Sequence, residues 1–276
     1  MEKAAQCGIP KLETKVEILD PFGHELVAEY AEHLFRLRQR KGVTLTTAVE
    51  LMHNHNYFAA MMLKTGRVDG LVSGVVEPYG SSAKPLLEII GVEGGQTLAG
   101  IYMVMHGPRQ YFFADCTINV APDGKVLAGI AMATADIAKR YTKDKIRVAM
   151  LSFASFGTNR HPDCAKVAEA VNIVRQNAPD LEIDGEMQAD VALNAELRHR
   201  EFPFSALTAN ANVLVFPDLA AANVAYKLLS AVAGASLIGP ILVGIRQPAN
   251  VLQISATTDE VLNMIYVTAH QAVRQS

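Results

Sequence analysis

The chain has no tryptophan and only three cysteines, Cys7, Cys116 and Cys164. They are scattered and odd in number, and they form neither a CxxC pair nor a zinc spacing. A disulfide framework and a structural zinc site are therefore not expected, and a reduced, cytoplasmic setting is. No apolar run reaches the roughly 18 residues that a membrane-spanning helix needs. The opening "MEKAAQCGIP" has one lysine and no long apolar stretch, so no secretory signal is read there. A net charge of −3 gives no basic face for nucleic acid. GxGxxG, GxxxxGK[ST] and HExxH do not occur, which removes the dinucleotide fingerprint, the phosphate loop and the zinc-protease helix.

What is present is ordinary globular material: 276 residues, half of them hydrophobic, enough for one large or two medium domains. Apolar residues at Leu26, Val27, Tyr30, Leu34 and Leu37 predict an amphipathic helix stopped by Gly42. "TLTTAVELMHNH" and "YFAAMMLKTG" predict two more helices, "GLVSG" a short strand, and "SSAKPLLEIIG" a helix with Pro85 in its first turn. "TLAGIYMVMHG" and "RQYFFADC" read as a strand pair. From residue 123 onward strands and helices alternate regularly. The strands "IRVAMLSF", "LEIDG", "ANVLVF" and "SLIGPILVG" are separated by helices that include "EMQADVALNAELRHR" and "LAAANVAYKLLSAV". The chain closes with the helix "TDEVLNMIYVTAHQAV". Apolar strands alternating with helices predict an α/β fold, a three-layer αβα arrangement around a parallel sheet.

In such sheets ligands sit at the carboxyl ends of strands. Those ends, "SGVVEPYG", "SFASFGTNRHP", "DGEMQAD", "FPDLAAAN" and "GIRQPAN", are rich in Gly, Ser, Pro and Asn. His53 and His55 fall on different helix faces, which favours a solvated or capping role over a metal. Glu186 and Asp190 suit either a cleft carboxylate or plain helix-start chemistry, with the latter favoured. In "SFASFGTNRHP", a phosphate-binding helix start helped by Arg160 and a plain N-cap by Thr158 or Asn159 are equally supported. Asp115 suits a turn-orienting role or none.

Six ordered stretches, "VDGLVSG", "FADCTIN", "VAMLSF", "DGEMQADVAL", "ANVLVFPDL" and "IGPILVG", resemble the phosphate acetyltransferase/butyryltransferase family. The resemblance runs from about residue 25 to 273. It implies two lobes with a coenzyme A cleft between them, an isocitrate dehydrogenase-like architecture, and self-association as a dimer or larger homo-oligomer. On that pattern lobe one is 1–131 plus 242–276 and lobe two is 132–241. Family members carry a further N-terminal βαβ piece, so the chain is read as a fragment, with a natural short form as the alternative. "VAMLSFASFG", "IDGEMQADVALNAEL", "FPFSALTANANVLVFPDL" and "VLNMI" resemble, more narrowly, the C-terminal half of hybrid NADP-dependent malic enzymes. There a fused catalytic half uses NADP and Mg or Mn, and the transacetylase-like half senses acetyl-CoA.

Departures from the active family pattern carry that narrower reading. Where active members have "NDLSRG" this chain has "NVLQIS", so Gln253 replaces a Ser and Ile254 an Arg, while Glu260 aligns with a later Asp. Glu77, Tyr79, Lys84 and Phe156 stand for His, Thr, Arg and Lys. Losing a bidentate cationic donor costs about a hundredfold or more in rate, and Arg-to-Lys at Lys84 loses the fork. The expectation is an acetyl-CoA or coenzyme A cleft lined by Lys84, Thr158, Arg160, Arg246, Asn250, Gln253 and Glu260, with no catalytic residue and no metal. Its role is expected to be allosteric, toward a fused malic enzyme half. An active phosphate acyltransferase is the alternative.

Overall fold

The computed structural model describes residues 16–273, and the chain divides into two compact units between Val68 and Asp69. Cys7 and the opening "MEKAAQCGIP" lie outside the described residues. In the first unit, α1 (Val27–Arg38), α2 (Leu45–Met52) and α3 (His55–Lys64) form a small helical bundle. Their starts are set locally: Thr44 Oγ1 accepts from Thr47 N, and Asn54 Oδ1 from Asn56 and Tyr57 N. Gly42, in the left-handed region, ends the 3-10 turn after α1, as the sequence predicts. Tyr30, Leu34, Met52, Phe58, Met61 and Leu63 are buried here. His53 closes α2 and stacks on Phe22, and His55 opens α3, so the two histidines belong to different helices.

The second unit holds β1 (Leu71–Gly74), α4 (Tyr79–Ile89), β2 (Ala99–His106), β3 (Arg109–Ala114), α5 (Gly124–Tyr141), β4 (Arg147–Leu151) and α6 (Pro162–Asn177). It continues with β5 (Glu182–Met187), α7 (Ala189–Leu193), α8 (Ala195–Glu201), β6 (Val213–Val215) and α9 (Leu219–Ala233). β7 (Ser236–Val243), β8 (Ala249–Leu252) and α10 (Thr258–Val273) complete it. Six strands form one sheet in the order β5-β4-β6-β3-β2-β7. β5, β4, β6 and β3 pair in parallel, while β2 runs antiparallel to both β3 and β7. This sheet takes strands from residue ranges expected in both lobes.

The sheet is apolar on both faces because its strands alternate between two cores. Phe112, Ala114, Val148, Met150, Val213 and Val215 point to one side, packed with α5 and α6. Phe113, Ala149, Leu151, Leu214 and Phe216 point to the other, packed with α7 and α9. That two-sided burial is why Val148–Leu151 and Val213–Phe216 read as unbroken hydrophobic runs, and it gives the expected three-layer αβα arrangement.

Three expectations about elements need correction. Helix α4 starts at Tyr79, so Pro85 lies in its interior and not in its first turn. "EMQADVALNAELRHR" is not one helix: Glu186 and Met187 belong to β5, and Asn194 breaks the rest into α7 and α8. The Asn194 side chain accepts from Leu197 N, and this local bond competes with helix continuation. Finally, Ala249–Leu252 is a strand that pairs in parallel with β1, where the sequence suggested only a loop.

Candidate functional site

Because β3, β4, β5 and β6 are parallel, the segments that follow them emerge along one edge of the sheet. The turn after β3 is built on Asp115, which is almost fully buried. Its Oδ1 accepts from the backbone N–H groups of Gly100 (2.9 Å), Thr117 (2.9 Å) and Ile118 (3.2 Å). Its Oδ2 accepts from Asn119 N (2.7 Å) and Asn119 Nδ2 (2.6 Å). Of the two readings open for Asp115, the turn-orienting one holds.

The loop after β4 is stitched to the end of β5. Ser152 N donates to Met187 O, Phe156 N to Glu186 O (2.8 Å), Gly157 N to Glu186 Oε1 (2.6 Å), and Gln188 N to Ser155 Oγ (3.0 Å). Glu186 is a buried strand residue, so the favoured helix-start reading is wrong for it. Phe156 is held at φ +48°, an uncommon conformation for a bulky side chain. Its ring meets Phe202 at 4.9 Å and Phe204 at 5.2 Å. Neither Thr158 nor Asn159 caps α6. His161 does, its Nδ1 accepting from Asp163 N, with Pro162 at the first helical position. Thr158 Oγ1 instead accepts from Ser155 N, and Asn159 Oδ1 from His161 N.

The β1/β8 pair adds a second group of loops. Register pairs Gly74 with Leu252, so Val75 and Gln253 leave the two strands side by side. Gly74 has φ +103°, and a Cβ there would run into the Leu252 backbone, so only glycine fits. Val75 follows at φ +72°, with Val76 N donating to Gly74 O. This is a γ-turn through a β-branched residue, a conformation that costs of order 1–3 kcal/mol and concentrates at functional sites. Tyr79, at the start of α4, brings this loop to the Asp115 turn: its Oη lies 3.4 Å from Thr117 Oγ1. Burial first, then the charge of Asp115 and the neighbouring Tyr226, outweigh the Thr117 bond and push the Tyr79 hydroxyl up to about 12. Cys116, next in the chain, is buried and its thiol is also pushed up.

The expected ligand residues separate into groups. Thr158 and Arg160 share the exposed loop after β4, and Lys84 is exposed on α4. Arg246 and Gln253 lie beyond opposite ends of β8. Arg246 is tied to the 91–92 segment, donating through N to Gly91 O and through Nε to Val92 O. Asn250 is fully buried and fully used: Nδ2 donates to Thr268 Oγ1 (2.8 Å) and Gln271 Oε1 (2.7 Å), and Oδ1 accepts from Leu242 N (2.8 Å). It pins β7, β8 and α10 together. Glu260 closes a capping box at α10, its Oε2 accepting from Thr257 N (2.7 Å) and Thr257 Oγ1 (3.0 Å). Among the described residues no three His, Cys, Asp or Glu side chains are grouped as a metal site, and no helix is long and apolar enough to cross a membrane.

Sequence reasoning missed Ser155, Tyr79 with Thr117 as a pair, and Glu186 as an inward-facing strand residue. The glycine before Val75 was the available signal for the strained turn. Nothing local marks Tyr79 and Thr117 as neighbours across 38 positions.

Fold and site together define a layered α/β protein with a mainly parallel sheet and a polar, glycine-containing edge at its strand ends. The chain belongs to the phosphate acetyl/butaryl transferase family, whose pattern matches residues 2–269. It is 38% identical over 260 residues to a phosphate acetyltransferase of Paracoccus denitrificans, covering 92% of this chain and 82% of that one. Among solved structures it is similar to the EutD phosphotransacetylase of Staphylococcus aureus, with TM-score 0.85, 36% identity, and coverage of 99% of this chain and 84% of that one. It is also similar to a phosphotransacetylase from Streptococcus pyogenes, with TM-score 0.87, 34% identity, and coverage of 92% and 78%.

These relatives overturn the expectation of a sensing half of a malic enzyme. Relatives that it matches along most of their length are phosphate acetyltransferases, which favours the acyltransferase reading over the malic enzyme one. That reading rested on four stretches of resemblance and on departures from the family pattern, chiefly at Gln253 and Ile254. Those positions report on one loop, whereas the whole-chain match reports on the entire scaffold.

Proposed function

We propose that this protein transfers an acetyl group between coenzyme A and inorganic phosphate. The observation that carries the reading is the near-complete match to phosphate acetyltransferases in sequence and to phosphotransacetylases in fold. In the direction of thioester synthesis the coenzyme A thiol loses its proton and its sulfur bonds to the carbonyl carbon of acetyl phosphate. The carbon–oxygen bond to phosphate then breaks, and phosphate leaves with the electron pair. The reverse direction forms acetyl phosphate from acetyl-CoA.

Three parts of the chain supply what that reaction needs. The loop after β4, with Thr158 and Arg160, and Lys84 on α4 offer exposed donors for the anionic nucleotide. The strained β1 end and Gln253 bring backbone and a neutral amide to the reacting groups. Glu260 is the proposed acceptor of the thiol proton: Oε2 is committed to the capping box, and Oε1 takes no bond among the described residues. Asn250 is assigned to the scaffold because its side-chain polar atoms are occupied by it, and Arg246 because its N–H and Nε bond the 91–92 segment.

The test is direct. Purified protein is mixed with acetyl phosphate and coenzyme A, and thioester formation is followed. Turnover of about 1 per second or more, the lower end of the usual enzyme range, is expected. A folded protein giving no thioester and no acetyl phosphate in either direction would sink the reading.

A further inference from the structure

The hydroxyls of Tyr79 and Thr117 lie 3.4 Å apart. That is beyond the roughly 2.7–2.8 Å at which two hydroxyls normally bond. Each carries one donatable proton, and among the described residues neither has another hydrogen-bond partner. An acceptor oxygen placed beside the pair, at the apex of a triangle, can lie about 2.8 Å from both and take a shorter bond from each than they make with one another.

Both side chains stand on fixed supports from separate segments. Tyr79 opens α4 directly after the strained turn at Val75. Thr117 is locked through its own N–H to Asp115 Oδ1 (2.9 Å), and its side chain lies over Gly100, where any Cβ would displace it. Both residues are half-buried and therefore not sealed in the core. A tyrosine hydroxyl carries its proton at neutral pH, and burial of Tyr79 shifts it further that way, so it can donate there.

We infer that Tyr79 and Thr117 form a two-hydroxyl cradle for the carbonyl oxygen of the acyl group, a neutral oxyanion site assembled from two loops. The inference rests on the acyl-transfer reading above. A carbonyl suits this pair better than a phosphate dianion, because two neutral hydroxyls supply donors but no cation. The carbonyl oxygen is uncharged in the ground state and gains charge only as sulfur adds, so the two bonds strengthen where the reaction needs them. A hydroxyl pair also fits a chain in which Ile254 stands where active relatives place a guanidinium.

The experiment has two arms. In the first, Tyr79→Phe and Thr117→Val are expected to lower kcat by about 10²–10³-fold each, as removal of one oxyanion donor does, with KM for coenzyme A unchanged. Thr117→Ser keeps the hydroxyl and is expected to stay within a few-fold of wild type. Thermal melts check that all three remain folded. In the second arm, the carbonyl stretch of [1-13C]acetyl-CoA is recorded on the protein by infrared difference spectroscopy. It is expected below the free value in wild type and back toward it in Tyr79→Phe. Wild-type turnover with undiminished kcat in Tyr79→Phe overturns the cradle and leaves the proposed function standing. A shifted stretch in a protein without turnover does the reverse. No bound carbonyl signal, or a stretch that is the same in wild type and Tyr79→Phe, overturns the cradle whatever the turnover.

Discussion

The backbone N–H of Gly157 donates to Glu186 Oε1 at 2.6 Å, so a buried carboxylate on β5 holds the loop that follows β4. The same residue accepts from Phe156 N through its carbonyl. A charge-assisted bond from inside the sheet therefore fixes an exposed loop. Glu186→Ala is expected to cost about 1–3 kcal/mol in urea unfolding, because it leaves a donor unpaired. Glu186→Gln keeps an acceptor and is expected to cost less. Equal stability of wild type and Glu186→Ala would show that the loop is held by other contacts.

Arg198 is fully buried and, among the described residues, has no carboxylate in hydrogen-bond contact. Its Nη1 donates to Val191 O and Ala192 O, and its Nη2 to Leu207 O and Ala209 O. One guanidinium thus gathers α7 and the 207–209 segment. Burial pulls its pKa down, and the charges of Asp184 and Glu182 oppose this. Arg198→Met is expected to destabilise by roughly 3 kcal/mol or more, since buried carbonyls lose their donors. Arg198→Lys is expected to rescue little, because a single ammonium cannot match the fork. Calorimetric melts of both variants check this.

Glu260 separates stability from chemistry. Glutamine serves in a capping box as glutamate does, so Glu260→Gln is expected to leave the melting temperature nearly unchanged. As a proton acceptor, however, the amide fails, and kcat is expected to fall about 10²–10⁴-fold. A variant that keeps full kcat removes Glu260 from the mechanism.

Gln253 and Ile254 leave room for a gain of function. Ile254 is exposed, so an arginine there needs no core space. Gln253→Ser combined with Ile254→Arg is expected to raise kcat/KM for phosphate by tenfold or more, in line with the worth of a cationic donor. The steady-state phosphate dependence of acetyl-CoA consumption measures it, and no gain would show that this loop does not face the anion.

Acid sensitivity has a definite sign at Glu182. Burial pushes its carboxyl up, but Lys145 at 2.6 Å and the N–H and hydroxyl of Thr208 outweigh that and hold it below its ordinary value. A carboxyl whose folded pKa is depressed contributes stability that is fully present above the unfolded value, about 4.3. That contribution is lost as pH falls through the lower, folded value. Glu182→Gln is therefore expected to flatten the acid limb of the stability–pH curve in that window. Parallel limbs in the two proteins would contradict it.

Much of the architecture follows from local pattern. The runs in β3, β4 and β6 are apolar because both faces of each strand are covered. The helices between them keep a 3.6-residue period, and Gly42 and the Asn54 cap mark boundaries that need only neighbouring residues. Where local signals compete, the reading fails. Pro85 suggested a helix start, but α4 begins a turn and a half earlier. Glu186 and Met187 scan as helix, yet β5 extends through them because β4 offers hydrogen bonds. The four residues of β8 are too few to announce a strand.

The ligand residues were the least legible part, since each expected one was chosen by residue type or by resemblance. Whether a polar side chain is free or spent depends on partners far along the chain. Asn250 is consumed by Thr268 and Gln271, whereas Arg246 spends only its Nε on Val92 O.

The sequence alone determined the layered α/β class and its periodic elements, because hydrophobic period and caps act over a few residues. It also determined the family, through motifs kept in order. Only the tertiary structure decided that β2 runs against its neighbours, that Glu186 faces inward, and that Tyr79 meets Thr117. Those outcomes depend on strand pairing and on contacts between distant segments, and no local preference of the chain encodes them.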